Sequence, residues 1–130
     1  MNRNLLTETA ELSLNGKIKF PEFVGVMVRE NIESYSIDLV RHLRTFRMAN
    51  GETHSDSFEF KACPAAAEFS CERVVKAIRA RHAGEITYRE FLACILEAGS
   101  IRYTVSIREK HATYYGRTGA HHTEKFPGAK

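Results

Sequence analysis

His54 and Asp56 stand two residues apart, and His122 and Glu124 repeat that spacing further down the chain. Residues i and i+2 of an extended strand share a face, so each imidazole would sit beside a carboxylate. That pairing orients a histidine for proton transfer or for ligating a metal. Phe58 and Phe126 fall at the next same-face position and would anchor each strand. The same pattern also suits a polar rim, because polar residues protect exposed sheet edges from pairing with another chain. The spacing leaves open whether the two pairs converge. His42, His111 and His121 could add ligands but have no zinc spacing, so neither a metal nor a cofactor is expected.

Other constellations point less directly to chemistry. Gly16-x-Ile18-x-x-x-Glu22-Phe23 has the form of the second half of a calcium loop, in which a turn glycine precedes a bidentate glutamate. Counting back from Gly16 places Glu11, Ser13 and Asn15 at ligand positions. Counting back from the equivalent Gly84 places Arg79, Arg81 and Ala83 there, which cannot hold a cation. Glu22 and Glu90 are therefore read as helix-start residues that accept free backbone N–H groups. Arg41, His42, Arg44 and Arg47 form a candidate basic patch around the first hairpin, and Arg79, Arg81 and His82 close a helix. Such groups suit phosphate or an acidic partner, and equally a solvated surface. No phosphate-binding glycine loop or nucleophile elbow occurs. Cys94 falls among Phe91, Ile95 and Ala98 and reads as a small core filler.

The elements that position these residues come in two copies. The run Gly16 to Phe23 returns 68 positions later as Gly84 to Phe91, and the match continues without a gap to Phe58 and Phe126. Gly16/Gly84, Ile18/Ile86, Glu22/Glu90, Tyr35/Tyr103, Thr45/Thr113, Gly51/Gly119 and His54/His122 are identical pairs. Repeats of this kind decide architecture. Leu5, Leu6, Thr9, Ala10, Leu12 and Ser13 predict a first helix ending near Asn15-Gly16. A second starts at Pro21 and carries Phe23, Val24, Met27, Val28 and Ile32. Cys71, Val74, Val75 and Ile78 predict a third. Thr87-Tyr88-Arg89-Glu90 is a capping box opening a fourth, which stops at Ala98-Gly99.

At Tyr35 and Tyr103 the period changes to alternation, with Tyr35, Ile37 and Leu39, then Tyr103, Val105 and Ile107, on one face. Thr45 to Met48 and Thr113 to Tyr115 follow as second strands. Thr53 to Phe60 and His121 to Phe126 are third strands, entered through Asn50-Gly51 and Thr118-Gly119. The expected fold is α+β: two helix-helix-strand-strand-strand units, with helices packed on an antiparallel sheet in two layers. The expected organisation is a single domain, 1–130, made of repeats at about 1–60 and 68–127 with Glu59 to Ala67 as connector.

Composition fits that frame. A chain of 130 residues that is 43% hydrophobic can bury one substantial core, which two repeats would share. Nineteen basic against 16 acidic residues is too even a balance to imply nucleic acid. Cys63, Cys71 and Cys94 are odd in number and lack a Cys-x-x-Cys pair, so a disulfide framework is not expected and a reducing cytoplasm is. No apolar run approaches the roughly 20 residues that span a bilayer, and Asn2, Arg3, Asn4, Thr7 and Glu8 give no signal-peptide core.

The run Gly84-x-x-Thr87-Tyr88-Arg89-Glu90-Phe91, followed by Ala98-Gly99, Tyr103-x-Val105 and Tyr114-Tyr115, resembles the YdfO-like proteins. These are small phage- and prophage-associated bacterial proteins, sometimes labelled phage envelope proteins. The resemblance implies a small two-layer α+β fold of unknown function and brings no catalytic residues with it. Two function classes follow. The first is a noncatalytic binding module that offers its sheet face or the groove between repeats to a protein partner, with nucleic acid as a second possible partner that the net charge does not support. The second is a small-ligand or enzymatic domain with His54, Asp56, His122 and Glu124 lining a cleft between repeats.

Overall fold

Asn2 opens α1 (Arg3–Leu14) by accepting the Leu5 N–H at 3.0 Å, and Leu6, Ala10 and Leu14 form its buried stripe. Pro21 stiffens the first turn of α2 (Phe20–Arg29), which buries Phe23 and Met27. Ser70 caps α3 (Cys71–His82) through the Arg73 N–H, and Val74, Ala77 and Ile78 turn inward. Thr87 and Glu90 complete a capping box at α4 (Tyr88–Glu97), the most thoroughly buried helix, with Phe91, Leu92, Ile95 and Leu96 all inside. These assignments come from a computed structural model that describes residues 1–61 and 63–127. Position 62 of the expected connector and the last three residues of the expected domain lie outside the described residues.

Three details depart from the sequence pattern. Leu12 and Val28, assigned to inward stripes, are 44% and 58% exposed. Ile32 does not extend α2 but opens the first strand, because Asn31 takes a left-handed φ of 60° and breaks the helix. The third strand stops at Ser57 rather than Phe60: Ser57 pairs with Leu43, the first residue of the neighbouring strand, so no partner strand continues.

The strands are β1 (Ile32–Asp38), β2 (Leu43–Met48), β3 (Thr53–Ser57), β4 (Ser100–Ser106), β5 (His111–Gly116) and β6 (His121–Lys125). They form one antiparallel sheet in the order β3-β2-β1-β4-β5-β6. The halves join at its centre, where Tyr35 pairs with Val105 and Ile37 with Tyr103. All four helices of the described residues lie on one face: Thr7 of α1 meets Asp56, Phe23 of α2 meets Tyr35, Cys71 of α3 meets His122, and Phe91 of α4 meets Tyr103. The result is a two-layer α+β fold. One hydrophobic core runs through both halves, from Leu6 and Phe46 to Ile95 and Tyr114.

Every helix and strand of the first half has a counterpart of equal length 68 positions on. The left-handed backbone positions follow the same rule. Asn31 and Gly99 have φ of 60° and 91°, and His42 and Lys110 have 57° and 58°. Gly16 and Gly84 have 72° and 75°, Gly51 and Gly119 have 92° and 96°. Gly99 is fixed by more than its φ, because a methyl group there would collide with the Glu68 carbonyl group and lie 2.8 Å from Phe69 Cα.

Candidate functional site

The alternation of β3 turns His54 and Asp56 toward the helices, and α1 meets them with a single side chain. Thr7 Oγ1 donates to Asp56 Oδ2 at 2.6 Å and lies 2.9 Å from His54 Nε2. His54 and Asp56 themselves are 3.8 Å apart, so the threonine hydroxyl mediates the pair. The other carboxylate oxygen accepts from Arg44 Nε at 2.7 Å. Arg44 is only 4% exposed; it also reaches Glu11 Oε2 at 3.2 Å and the Ser57 carbonyl at 3.3 Å. His54 stacks on Phe46, and its Nδ1 lies 3.4 Å from Arg3. Every polar atom is engaged, and the effect is to fasten an edge strand to α1. A buried guanidinium needs such partners.

The equivalent place in the second half is built differently. Thr7 corresponds to Val75, which has no hydroxyl, and His122 Nε2 approaches Glu124 Oε2 directly at 2.6 Å. Arg3 corresponds to Cys71, whose Sγ lies 3.3 Å from His122 Nδ1. Cys71 is exposed and is the first residue of α3. It carried no signal as a single residue; only its alignment with Arg3, in a half where threonine becomes valine, could have marked it.

The two His/carboxylate pairs occupy β3 and β6, the opposite edges of the sheet. They do not line a common cleft, which corrects the expected alternative arrangement. Between helices and sheet lies a cavity of about 20 Å³, walled by Phe20, Phe23, Tyr35, Phe46, Arg81 and Tyr103. That is space for about one water. Burial raises the hydroxyl pKa of Tyr35, Tyr103 and Tyr114 well above the ordinary tyrosine range. Tyr88 is shifted the same way, chiefly by burial, and its hydroxyl bonds to that of Tyr103. Its ring is partly exposed, with the Arg81 guanidinium stacked 4.4 Å away. Tyr35 and Tyr103 serve the core, as their alternation predicts, and Tyr114 joins them.

The expected basic patch is not gathered on one surface. Arg44 points inward, Arg47 lies on the opposite sheet face, His42 packs tilted against Phe58 and edge-on to Phe60, and Arg41 is exposed in the turn. Arg81, grouped with a helix end in the sequence, stacks over Phe20 and Phe91 as well as Tyr88. Burial, then Arg81, lowers the pKa of His82. Cys94 sits partly buried at the rim of the core, its thiol pKa raised by burial and then by Glu97 and Glu90. Glu22 Oε1 accepts the Lys19 N–H at 3.3 Å and Glu90 Oε1 the Thr87 N–H at 2.9 Å, so both act at helix starts. Among the described residues no group of three or more His, Cys, Asp or Glu side chains could hold a metal ion, and no helix is long and apolar enough to cross a membrane.

Residues 14–124 match the family described as Protein of unknown function (DUF1398). The chain belongs to that family. Cys71, His122 and Glu124 fall inside the matched residues, whereas Arg3, Thr7 and Glu11 precede them. Among curated proteins the chain is similar to Uncharacterized protein Mb2035 of Mycobacterium bovis and to Uncharacterized proteins MT2067 and Rv2012 of Mycobacterium tuberculosis. Each is 40% identical over 48 residues, which is 37% of this chain and 29% of the relative. The match thus spans less than a third of each relative's length.

Proposed function

We propose that the protein is a noncatalytic binding module that docks an acidic protein segment on the helix-free face of its sheet. The observation that carries this reading is a row of hydroxyls in register across the sheet. Ser55 pairs with Thr45, Thr45 with Ser36, Ser36 with Thr104, Thr104 with Thr113, and Thr113 with Thr123. All alternate with the buried residues and so lie away from the helices. Arg47 and Lys125 flank one side of the row, and Arg102, stacked 4.1 Å from the Tyr115 ring, flanks the other. Asp38 shares that face, but its Oδ1 already accepts the Val40 and Arg41 N–H groups. His111 Nδ1 on the same face is buried without a hydrogen-bond partner. Thr45 bonds to Ser55 at 3.1 Å, Thr113 to Thr123 at 2.9 Å, and Arg47 donates to Ser36 at 3.1 Å, so the row is a preformed polar strip whose cationic flanks suit carboxylates.

The common offset of elements and left-handed positions supports an origin by tandem duplication within one domain. The YdfO-like run from Gly84 to Tyr115 supports a phage or prophage origin, and three free cysteines support a cytoplasmic setting.

A titration separates acidic protein from nucleic acid as the occupant. A polyglutamate peptide should bind in a salt-dependent manner, and binding should be lost in Arg47→Glu/Arg102→Glu with the fold intact by circular dichroism. Unchanged binding in that variant, or tighter binding of a single-stranded oligonucleotide than of the peptide, would refute the reading.

A further inference from the structure

Between the start of α3 and β6, on the helix-covered face opposite the proposed docking face, the second half carries a constellation that the first half lacks. His122 Nε2–H donates to Glu124, which leaves the lone pair on Nδ1. That lone pair faces the Cys71 thiol at 3.3 Å. Cys71 opens α3 with its side chain exposed, so an incoming reagent can reach the sulfur. A thiol, a base and a carboxylate that orients the base make up the arrangement that activates a cysteine nucleophile.

The molecule supplies its own comparison. At the matching place in the first half the helix start is Arg3, and Thr7 stands between His54 and Asp56 with Arg44 on the carboxylate. There the histidine and acid are absorbed in a structural clamp. Replacement of threonine by valine at position 75 removes the bridging hydroxyl, and Glu124 has no arginine partner, since Ala112 faces it where Arg44 faces Asp56. The second pair is therefore free to act on a neighbour, and the neighbour is an exposed thiol.

We propose that Cys71, His122 and Glu124 form a thiol-exchange site for small disulfides. Attack at a disulfide sulfur builds no oxyanion, so the step needs no oxyanion hole beside the thiol. In the step, Cys71 Sγ bonds to one sulfur of the incoming disulfide and the S–S bond breaks. The thiol proton passes to His122 Nδ1 and then to the departing thiolate. The products are a mixed disulfide on Cys71 and one free thiol, with no change in the total of oxidised sulfur.

The test is stopped-flow reaction of the folded chain with an aromatic disulfide, with the modified cysteine assigned by mass spectrometry. Cys71 should react first, ahead of the partly buried Cys63 and Cys94, and His122→Ala should slow it by at least about tenfold. Glu124→Gln should slow it less, because it removes only the orienting group. Arg3→Cys, made in the Cys71→Ser background, places a thiol at the same helix position beside a histidine held by Thr7, and should react more slowly than Cys71. Equal rates for these two thiols would mean that helix position and exposure explain the reactivity, and would overturn the proposal. An unchanged rate in His122→Ala, with native circular dichroism, would do the same. If His122→Ala fails to fold, the Arg3→Cys comparison decides alone.

Discussion

Asp56 and Glu124 occupy equivalent strand positions, yet their removal should cost very different amounts. Asp56 has a side chain 13% exposed and holds Arg44, which is 4% exposed, at 2.7 Å while accepting from Thr7 at 2.6 Å. Asp56→Ala leaves that guanidinium with the Ser57 carbonyl and with Glu11, itself 45% exposed and screened by water. Breaking a buried pair by deleting one partner costs about 3–5 kcal/mol, because the remaining charge stays buried. For a domain of this size the melting temperature should fall on the order of 10 °C. Among the described residues the one hydrogen-bond partner of the Glu124 carboxylate is His122, with the two side chains 30% and 21% exposed. Glu124→Ala should cost about 1 kcal/mol or less. Urea unfolding of both variants reads the difference directly, with Arg44→Met/Asp56→Leu as the coupled control expected to recover part of the loss. Equal destabilisation by the two alanine variants would refute the contrast between clamp and free pair.

Three further outcomes can be checked. Burial raises the folded-state pKa of Tyr35, Tyr103 and Tyr114, so their contribution is complete below the ordinary tyrosine value of 10.0 and is lost as pH rises toward the folded value. By about pH 11 ionisation of these three residues in the unfolded chain should remove roughly 4 kcal/mol, and their share of the tyrosinate absorbance should rise together with unfolding rather than before it. Gly99→Ala should destabilise by at least about 2 kcal/mol through its left-handed φ of 91° and collision with the Glu68 carbonyl group; a native-like melting temperature would disprove the close approach. Calcium should leave the melting temperature unchanged, because Glu11 and Ser13 are helical and Glu22 is bonded to the Lys19 N–H.

Backbone architecture was legible because it rests on local rules applied twice. Alternation at Tyr35 and Tyr103, the capping box at Thr87 and the turn at Asn50-Gly51 each specify an element without help from the rest of the chain. Exposure was less legible, and Val28 shows why: it lies on a helix that the sheet covers along only one side, so an apolar residue at helical spacing need not turn inward. Side-chain partnership was hidden almost entirely. Arg44 looked like a surface cation, and only the packing of α1 over β2 and β3 turns it into a buried one. The edge positions of β3 and β6 follow from the central pairing of β1 with β4. Antiparallel alternation alone does not dictate that pairing, and so the separation of the two histidines could not be read from their spacing.

What separates the halves chemically is a handful of substitutions on a shared backbone. His54 and His122 are the same residue at equivalent strand positions, facing equivalent helices, α1 and α3. Thr7 against Val75 decides whether the carboxylate is reached through a hydroxyl or directly, and Arg44 against Ala112 decides whether that carboxylate is also neutralised by a buried cation. Arg3 against Cys71 then decides what the other ring nitrogen faces. In the first half all three choices add bonds between α1 and the edge strand. In the second half the same three positions leave the Cys71–His122 contact between α3 and the edge strand, and the stability of that edge comes mainly from apolar packing, with Val74 and Ile78 buried on the neighbouring helix. An edge held by apolar contacts leaves its polar residues available for chemistry, whereas an edge held by an ion network consumes them.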